Sequence, residues 1–440
     1  MFNNIGIIPP HGTVINIEPN KVTASFPGLT IGATCKILKN NRTTLLSEVV
    51  ALSEQHAILI PFGSLDGISL NSPVFFHNDN FTIEIPENPQ GLVLSPFGEI
   101  LNKTTTIKNG SNLKNSHTDL FLHKAKTIRL TPFLSASPDP LTRLPINKKI
   151  ITGICSIDTL TPLGYGQRMG VFAGPGVGKS TLLGEICANA EVDNIVYCAV
   201  GERGREVRST LEETIGAESL TRTVMVVSTS DEPPMARRLA PFVATAIAEY
   251  YRNQGKRVLL LVDSLTRTAR AIREMGLAAG ERELRGGLTP SVLRELPMLL
   301  ERAGTNCNGS ITALYTLLTE TEPDQDPLAQ EVKSLLDGHI ILSPTIAARG
   351  TYPAIDFLQS VSRLTQNLLD SDAKKIRAVI LRSILRLERD RELVLFGGTP
   401  DPELARIIGA EHILNEFLSA TGYSSENLTK LLNSLLSAII

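Results

Sequence analysis

Three short stretches carry the residue types that phosphoryl chemistry requires. The first is "AGPGVGKST", Ala173 to Thr181, which follows the apolar run "MGVF" and opens the helical run "STLLGEICANA". Glycines at 174, 176 and 178 allow consecutive backbone N–H groups to turn into one hollow, and the helix N-terminus adds partial positive charge there. Gly174, Pro175, Gly176, Val177, Gly178, Lys179, Ser180 and Thr181 are the expected phosphate cradle. Lys179 is expected to reach the β- and γ-phosphates, and Ser180 to ligate Mg²⁺. The strict pattern begins with Gly, whereas this chain has Ala173, which is small enough not to crowd the loop. The bland alternative is a chance Gly-rich turn.

The second stretch, "RVLLLVDSLTR", is an apolar strand ending in Asp263. An Asp at that position in a phosphate-loop fold holds Mg²⁺, usually through water. The competing reading is a helix N-cap, because a helical run follows. The third stretch, "CAVGERGREV", ends a strand in Glu202. Ligands of open parallel sheets bind beyond the carboxyl ends of the strands, so Ala173, Glu202 and Asp263 should converge on one crevice. A carboxylate there can orient and polarise the attacking water, with Arg203 near the developing charge. The alternative is a structural ion pair with Arg203 or Arg205.

The elements that must position these groups follow from pattern. Residues 1–82 contain "GTVINIE", "KVTASFP", "ATCKIL", "LSEVVAL", "HAILIPF" and "SPVFFH", short runs with regular turn signals that predict a small β-barrel. From Ile150 the pattern changes. "RMGVFA", "NIVYCAV", "TVMVVS", "RVLLLV", "SITALYTLL" and "HIILS" read as strands buried on both faces and joined by crossover helices. The expected class is α/β, a nucleotide-binding core over 83–365 built on a mostly parallel sheet. A tail over 366–440 is helical by period, with Asp401-Pro402 starting one helix. Residues 102–118, rich in Asn, Thr, Ser and Gly, read as a loop or disordered insertion.

Bulk properties narrow the classes. The chain has 440 residues, 42% hydrophobic and 20% charged, with a formal net charge of −2. That balance fits a globular protein and gives no global pull toward nucleic acid or acidic membranes. No apolar run approaches ~18 residues, and "MFNNIGIIPP" lacks a basic start, so neither a membrane helix nor a signal peptide is expected. Five cysteines without CxxC spacing suit a reducing cytoplasm, with Cys187 and Cys198 as buried thiols. His339 reads as a strand-end residue rather than a metal ligand.

Several motifs in order, "GQRMGVFAGPGVGKSTLL", "VGERGREVR", "DEPPMARRLAPFVATAIAEYYRNQGKRVLLLVDSLTR" and "TYPAIDFLQSVSRL", resemble the export ATPases of flagella and of type III secretion systems, relatives of the rotary ATP synthase catalytic subunit. The resemblance implies a β-barrel, a RecA-like ATPase domain and a C-terminal helical domain, assembled as a homohexamer. It implies ATP as substrate, Mg²⁺ as cofactor, and Glu202 as the carboxylate that activates water. It implies that Arg363 is an arginine finger delivered to a neighbouring subunit's nucleotide, and that Tyr352 packs on adenine. Without the resemblance, Arg363 reads as an interface ion-pair residue and Tyr352 as a core aromatic.

The implied activity is ATP hydrolysis energising protein export, in the cytoplasm and peripheral to the inner membrane. The implied partners are stator, stalk and export-gate proteins, chaperones and exported substrates. The chain departs from the family at four places. The barrel pattern begins within a dozen residues of Met1, where members carry a stator-binding helix. Leu288 and Leu293 replace the usual aromatics in the stalk-facing loop. "LVLFGGTPDPEL" is short, and the polar insertion is unusual. Two other classes fit less well: a non-catalytic ring subunit should lose Glu202, and a hexameric RNA motor should carry a basic, aromatic-bearing barrel.

Overall fold

The computed structural model describes residues 11–102, 126–319, 323–396 and 398–439. The polar insertion expected as a loop therefore lies, apart from Asn102, outside the described residues. Six strands, β1 (His11–Glu18), β2 (Lys21–Ser25), β3 (Thr34–Leu38), β4 (Thr44–Leu52), β5 (Ala57–Pro61) and β6 (Pro73–Asn78), close into a barrel in the order β1-β2-β5-β4-β3-β6. Alternation drives the closure: in β2, Val22 and Ala24 are buried while their neighbours are partly exposed. Val14, Cys35, Ile37, Val49, Leu59 and Val74 fill the same interior. Each strand was legible as a run in the sequence.

A ribbon of β7 (Ile83–Pro86) and β9 (Thr127–Leu130) follows, together with β8 (Val93–Leu94) and a small pair, β10 (Lys149–Ile150) with β11 (Leu163–Gly164). The main sheet contains β12 (Arg168–Ala173), β13 (Asn194–Glu202), β14 (Thr223–Thr229), β15 (Arg257–Asp263), β17 (Ser310–Leu318), β18 (Gly338–Leu342) and β19 (Ile355–Ser362). Its order is β19-β18-β12-β17-β15-β13-β14-β8, and β16 (Gly304–Thr305) pairs with β17. From β18 to β8 along this order the pairings are parallel, while β19 is antiparallel on β18. The central strands are buried along nearly their whole length, as sheets covered on both faces require. Three strands of this sheet were absent from the sequence reading. β8 and β16 have two residues each, too few to show a period, and β19 breaks strict alternation at Phe357-Leu358 and Gln359-Ser360.

Helices cover both faces, among them Lys179–Asn189, Pro234–Asn253, Leu265–Ala278 and Pro290–Leu300. The C-terminal region packs Ser371–Leu395, Pro402–Gly409, Glu411–Ser419 and Ser425–Ile439. Asp401 caps the second of these, accepting from the Leu404 N–H. The tail docks through backbone: the Cys155 N–H donates to the Ala420 carbonyl (3.0 Å) and the Gly422 N–H to the Gly153 carbonyl (2.8 Å). Cys35, Cys155, Cys187 and Cys198 are buried free thiols, and His339 hydrogen-bonds the Gln359 carbonyl. Among the described residues no helix is long and apolar enough to cross a membrane.

Candidate functional site

The phosphate loop leaves the C-terminal end of β12. Gly176 and Gly178 sit at φ +77° and +86°, a left-handed conformation that side chains strain to adopt. Gly178 is the N-cap of helix Lys179–Asn189, with no side chain satisfying the first-turn N–H groups. Those donors point to the loop's mouth, where Pro175, Gly176, Ser180 and Thr181 are exposed, while Val177 anchors the loop in the core. A Cβ on Gly178 would lie 3.1 Å from two ring carbons of Tyr352. That ring therefore lies against the loop, and it is half-exposed rather than a core aromatic.

Across the crevice, Asp263 ends β15. Its Oδ1 accepts hydrogen bonds from Lys179 Nζ and Thr316 Oγ1 (2.7 Å), and its Oδ2 accepts one from Tyr197 Oη (3.4 Å). The helix after it has Ser264 as N-cap, with no side-chain cap bond. The carboxylate thus faces the phosphate loop.

Glu202 ends β13, the strand beside β15, and is mostly buried. Its partner is Arg267, whose Nη1 lies 2.9 Å from Glu202 Oε1 and also donates to the Gly201 carbonyl. Arg203 instead points outward and pairs with Glu206 at 3.5 Å, and Arg205 is exposed. Glu202 is therefore in an ion pair, but with an arginine one helix away. Burial pushes its carboxyl up to about 7. A hydrogen bond with Glu206 and the charge of Asp263 push the same way, against Arg267 and Lys179.

Arg363 lies elsewhere. It follows β19, which runs back along β18, so Ser362 pairs with Gly338 at the opposite end of the sheet. Its N–H donates to the Asp337 carbonyl (3.0 Å), and its guanidinium reaches the Lys333 carbonyl (3.4 Å). Through the register of β18 on β12, Ser362 stands level with Met169, about 13 Å of strand before the phosphate loop begins. The structure thus brings together the loop, Tyr352, Asp263 and Glu202, and leaves Arg363 apart.

Sequence reasoning missed Arg267, Glu206, Thr316 and Tyr197. Arg267 and Glu206 stood inside quoted motifs, but pairing across elements is not visible in a linear string. Tyr197 and Thr316 had a weak signal: a hydroxyl inside a run otherwise suited to a doubly buried strand.

Comparison with known proteins agrees with this architecture. The profile of the ATP synthase alpha/beta family, nucleotide-binding domain, matches residues 153–362. The flagellum-specific ATP synthase of Treponema pallidum is 39% identical over 412 residues, covering 93% of this chain and 88% of that protein. The SPI-2 type 3 secretion system ATPase of Salmonella typhimurium is 40% identical over 384 residues, covering 87% and 83%. The solved structure of the assembled ATPase EscN from the enteropathogenic E. coli type III secretion system superposes with a TM-score of 0.86 at 37% identity, covering 98% of this chain and all of that one. EscN in complex with its central stalk EscO gives a TM-score of 0.83 at 36% identity, covering 98% and 100%. Barrel, parallel sheet, phosphate loop and sequence identity along most of the length agree: the chain belongs to the P-loop family of flagellum-specific ATP synthases and type 3 secretion system ATPases.

Proposed function

We propose that this chain hydrolyses Mg-ATP to ADP and phosphate, and that turnover energises protein export through a flagellar or virulence type III secretion apparatus. The observation that carries the reading is the meeting of Lys179, Asp263 and Glu202 at one crevice mouth, with the exposed Ser180 at its rim. In this reading residues 1–82, 83–365 and 366–440 are the barrel, the ATPase core and the helical domain.

The loop N–H groups and Lys179 take the phosphates, and Lys179 exchanges the Asp263 carboxylate for them. Tyr352, seated on Gly178, offers its exposed ring to the adenine. An exposed hydroxyl at Ser180 and a carboxylate at Asp263 fit a hard cation that is otherwise held by phosphate and water. Bound there, Mg²⁺ would be held on the protein side by Ser180 and Asp263 and would supply positive charge against the charge developing on the phosphates. Glu202 in its ionised form accepts a hydrogen bond from the attacking water and orients it. Arg203, exposed and paired with Glu206, points away from Glu202 and would reach the charge developing on the phosphates only by leaving that pair.

The position of Arg363 supports action in trans. A side chain at the far end of the sheet does not reach its own chain's loop, whereas a neighbouring copy can present it, which favours a homohexameric ring. A cytoplasmic ring peripheral to the membrane, with stator, stalk, export-gate and chaperone partners, completes the reading. The deciding experiment is Glu202→Gln. The amide keeps the shape and removes the charge, so Mg-ATP binding should persist while turnover falls about 10²-fold or more. Equal turnover by both proteins would make Glu202 an ion-pair residue only.

A further inference from the structure

Asp263 stands at the end of β15, and the two strands that flank β15 each send it a hydroxyl. From β17 comes Thr316, whose Oγ1 donates to Oδ1 at 2.7 Å; from β13 comes Tyr197, whose Oη donates to Oδ2 at 3.4 Å. Both are as buried as any core residue, Thr316 at 0% and Tyr197 at 2% exposure, and Asp263 itself is only 4% exposed. Packing alone does not call for either hydroxyl. Val has the volume of Thr, Phe has nearly that of Tyr, and both suit a doubly covered strand.

The Thr316 bond is of full strength and the Tyr197 contact, at 3.4 Å, is a long one, but together they address both oxygens of the carboxylate. A carboxylate has about four lone-pair sites, two on each oxygen. Tyr197 takes one on Oδ2, Thr316 takes one on Oδ1, and Lys179 takes a second on Oδ1. Fixing both oxygens fixes rotation about the Cβ–Cγ bond, and charge-assisted hydrogen bonds hold that angle more firmly than neutral ones. The hydroxyls come from the sheet, not from the phosphate loop, so the pose of the carboxylate does not depend on Lys179. It is set in advance by rigid elements, as tight positioning requires.

We propose that Tyr197 and Thr316 are positioning residues that orient the Asp263 carboxylate for its bound metal, an inference that rests on the metal-side reading of Asp263. Their role is then to lower the Mg²⁺ concentration the ATPase needs, without contact with nucleotide. Partners of this kind typically set metal affinity by 10–100-fold.

The test uses the full chain saturated with ADP and titrated with Mn²⁺ as a spin probe, free Mn²⁺ being read by electron paramagnetic resonance. Tyr197→Phe and Thr316→Val should each weaken Mn²⁺ binding about tenfold, while ADP affinity measured without metal stays unchanged. Thr316→Ser, which keeps the hydroxyl, should restore Mn²⁺ affinity. Unchanged Mn²⁺ affinity in both hydroxyl-free variants overturns the proposal, as does a parallel loss of metal-free ADP affinity, which would mean a collapsed site. Asp263→Asn separates the two layers. If it weakens Mn²⁺ and the hydroxyl variants do not, the positioning role alone fails. If it too leaves Mn²⁺ binding intact, the metal-side reading of Asp263 fails and the positioning role goes with it.

Discussion

Two regions of this molecule bury basic side chains against carboxylates, and they are built differently. Where the barrel meets the core, Arg238 sits between Glu48 of β4 (2.6 Å) and Glu295 of helix Pro234–Asn253's neighbour, Pro290–Leu300 (2.7 Å), bonding Glu295 through two nitrogens. Nearby, Arg302 bonds both oxygens of Glu249 and also the Pro132 carbonyl. These guanidiniums are enclosed, and each of their nitrogens has a partner. At the crevice, Lys179 has the Asp263 carboxylate, while Glu202 divides itself between Arg267 and Glu206. The crevice is open at the phosphate loop and crowded with carboxylates, so its charges have reason to change partners. Burial raises the carboxyl of Glu48 as well as that of Glu202. A shifted acid is therefore not by itself a mark of chemistry. The mark is an acid whose partners are incomplete and whose neighbourhood opens to a ligand.

The largest effect that would sharpen this contrast comes from Arg363, which belongs to neither cluster. Arg363→Ala should lower ATP turnover about 10³-fold if it is a finger. Mixing that variant with Lys179→Ala chains should restore part of the activity. The first supplies intact phosphate loops and the second supplies Arg363 across the interface. Absence of any restoration at ring-forming concentrations would place Arg363 outside the reaction.

Much of this is legible in the amino-acid sequence. Short β-type runs bounded by regular turn signals, such as "KVTASFP", announced the barrel. The phosphate loop was legible because its chemistry is local: glycine, lysine and hydroxyl act within one turn. What was not legible is what the fold brings from a distance. Arg203 is next to Glu202 in the string, yet it leaves the strand end outward, while Arg267 arrives from the helix after β15. Sequence adjacency misdirects at the end of a strand because successive side chains point to opposite faces. The far-end position of Arg363 likewise depends on β19 running antiparallel, a strand the periodicity did not reveal.

The enclosed cluster makes the next prediction. Arg302→Met leaves Glu249 buried beside a neutral side chain, and removing one partner of a buried pair is costly. Denaturant unfolding should show a loss of about 3 kcal/mol, with turnover per folded chain unchanged. An effect on turnover with no loss of stability would mean that the enclosed pairs also serve the reaction, and the contrast between the two regions would fail.

The smallest effect is also the most specific, because it reads the crevice's own balance of charge. Water activation needs Glu202 ionised, and its carboxyl stands near 7. Turnover should therefore fall about tenfold per pH unit below neutrality and level off above it. Two variants should move that acid limb in opposite directions. Glu206→Ala removes a hydrogen bond that raises the carboxyl, so the limb moves to lower pH; Arg267→Met removes a charge that lowers it, so the limb moves to higher pH. Folding is linked to the same proton with the opposite preference. A carboxyl whose folded value lies above its unfolded value of 4.5 binds more protons in the native state, so its contribution to stability declines from pH 4.5 to about 7 and is constant beyond. Over that window the crevice gains its active form while the fold loses stability, and Glu202→Gln, which cannot titrate, should flatten this contribution. A limb that stays in place in both variants would mean that another group sets the pH dependence, and that Glu202 is as settled in its pairing as Arg302 is.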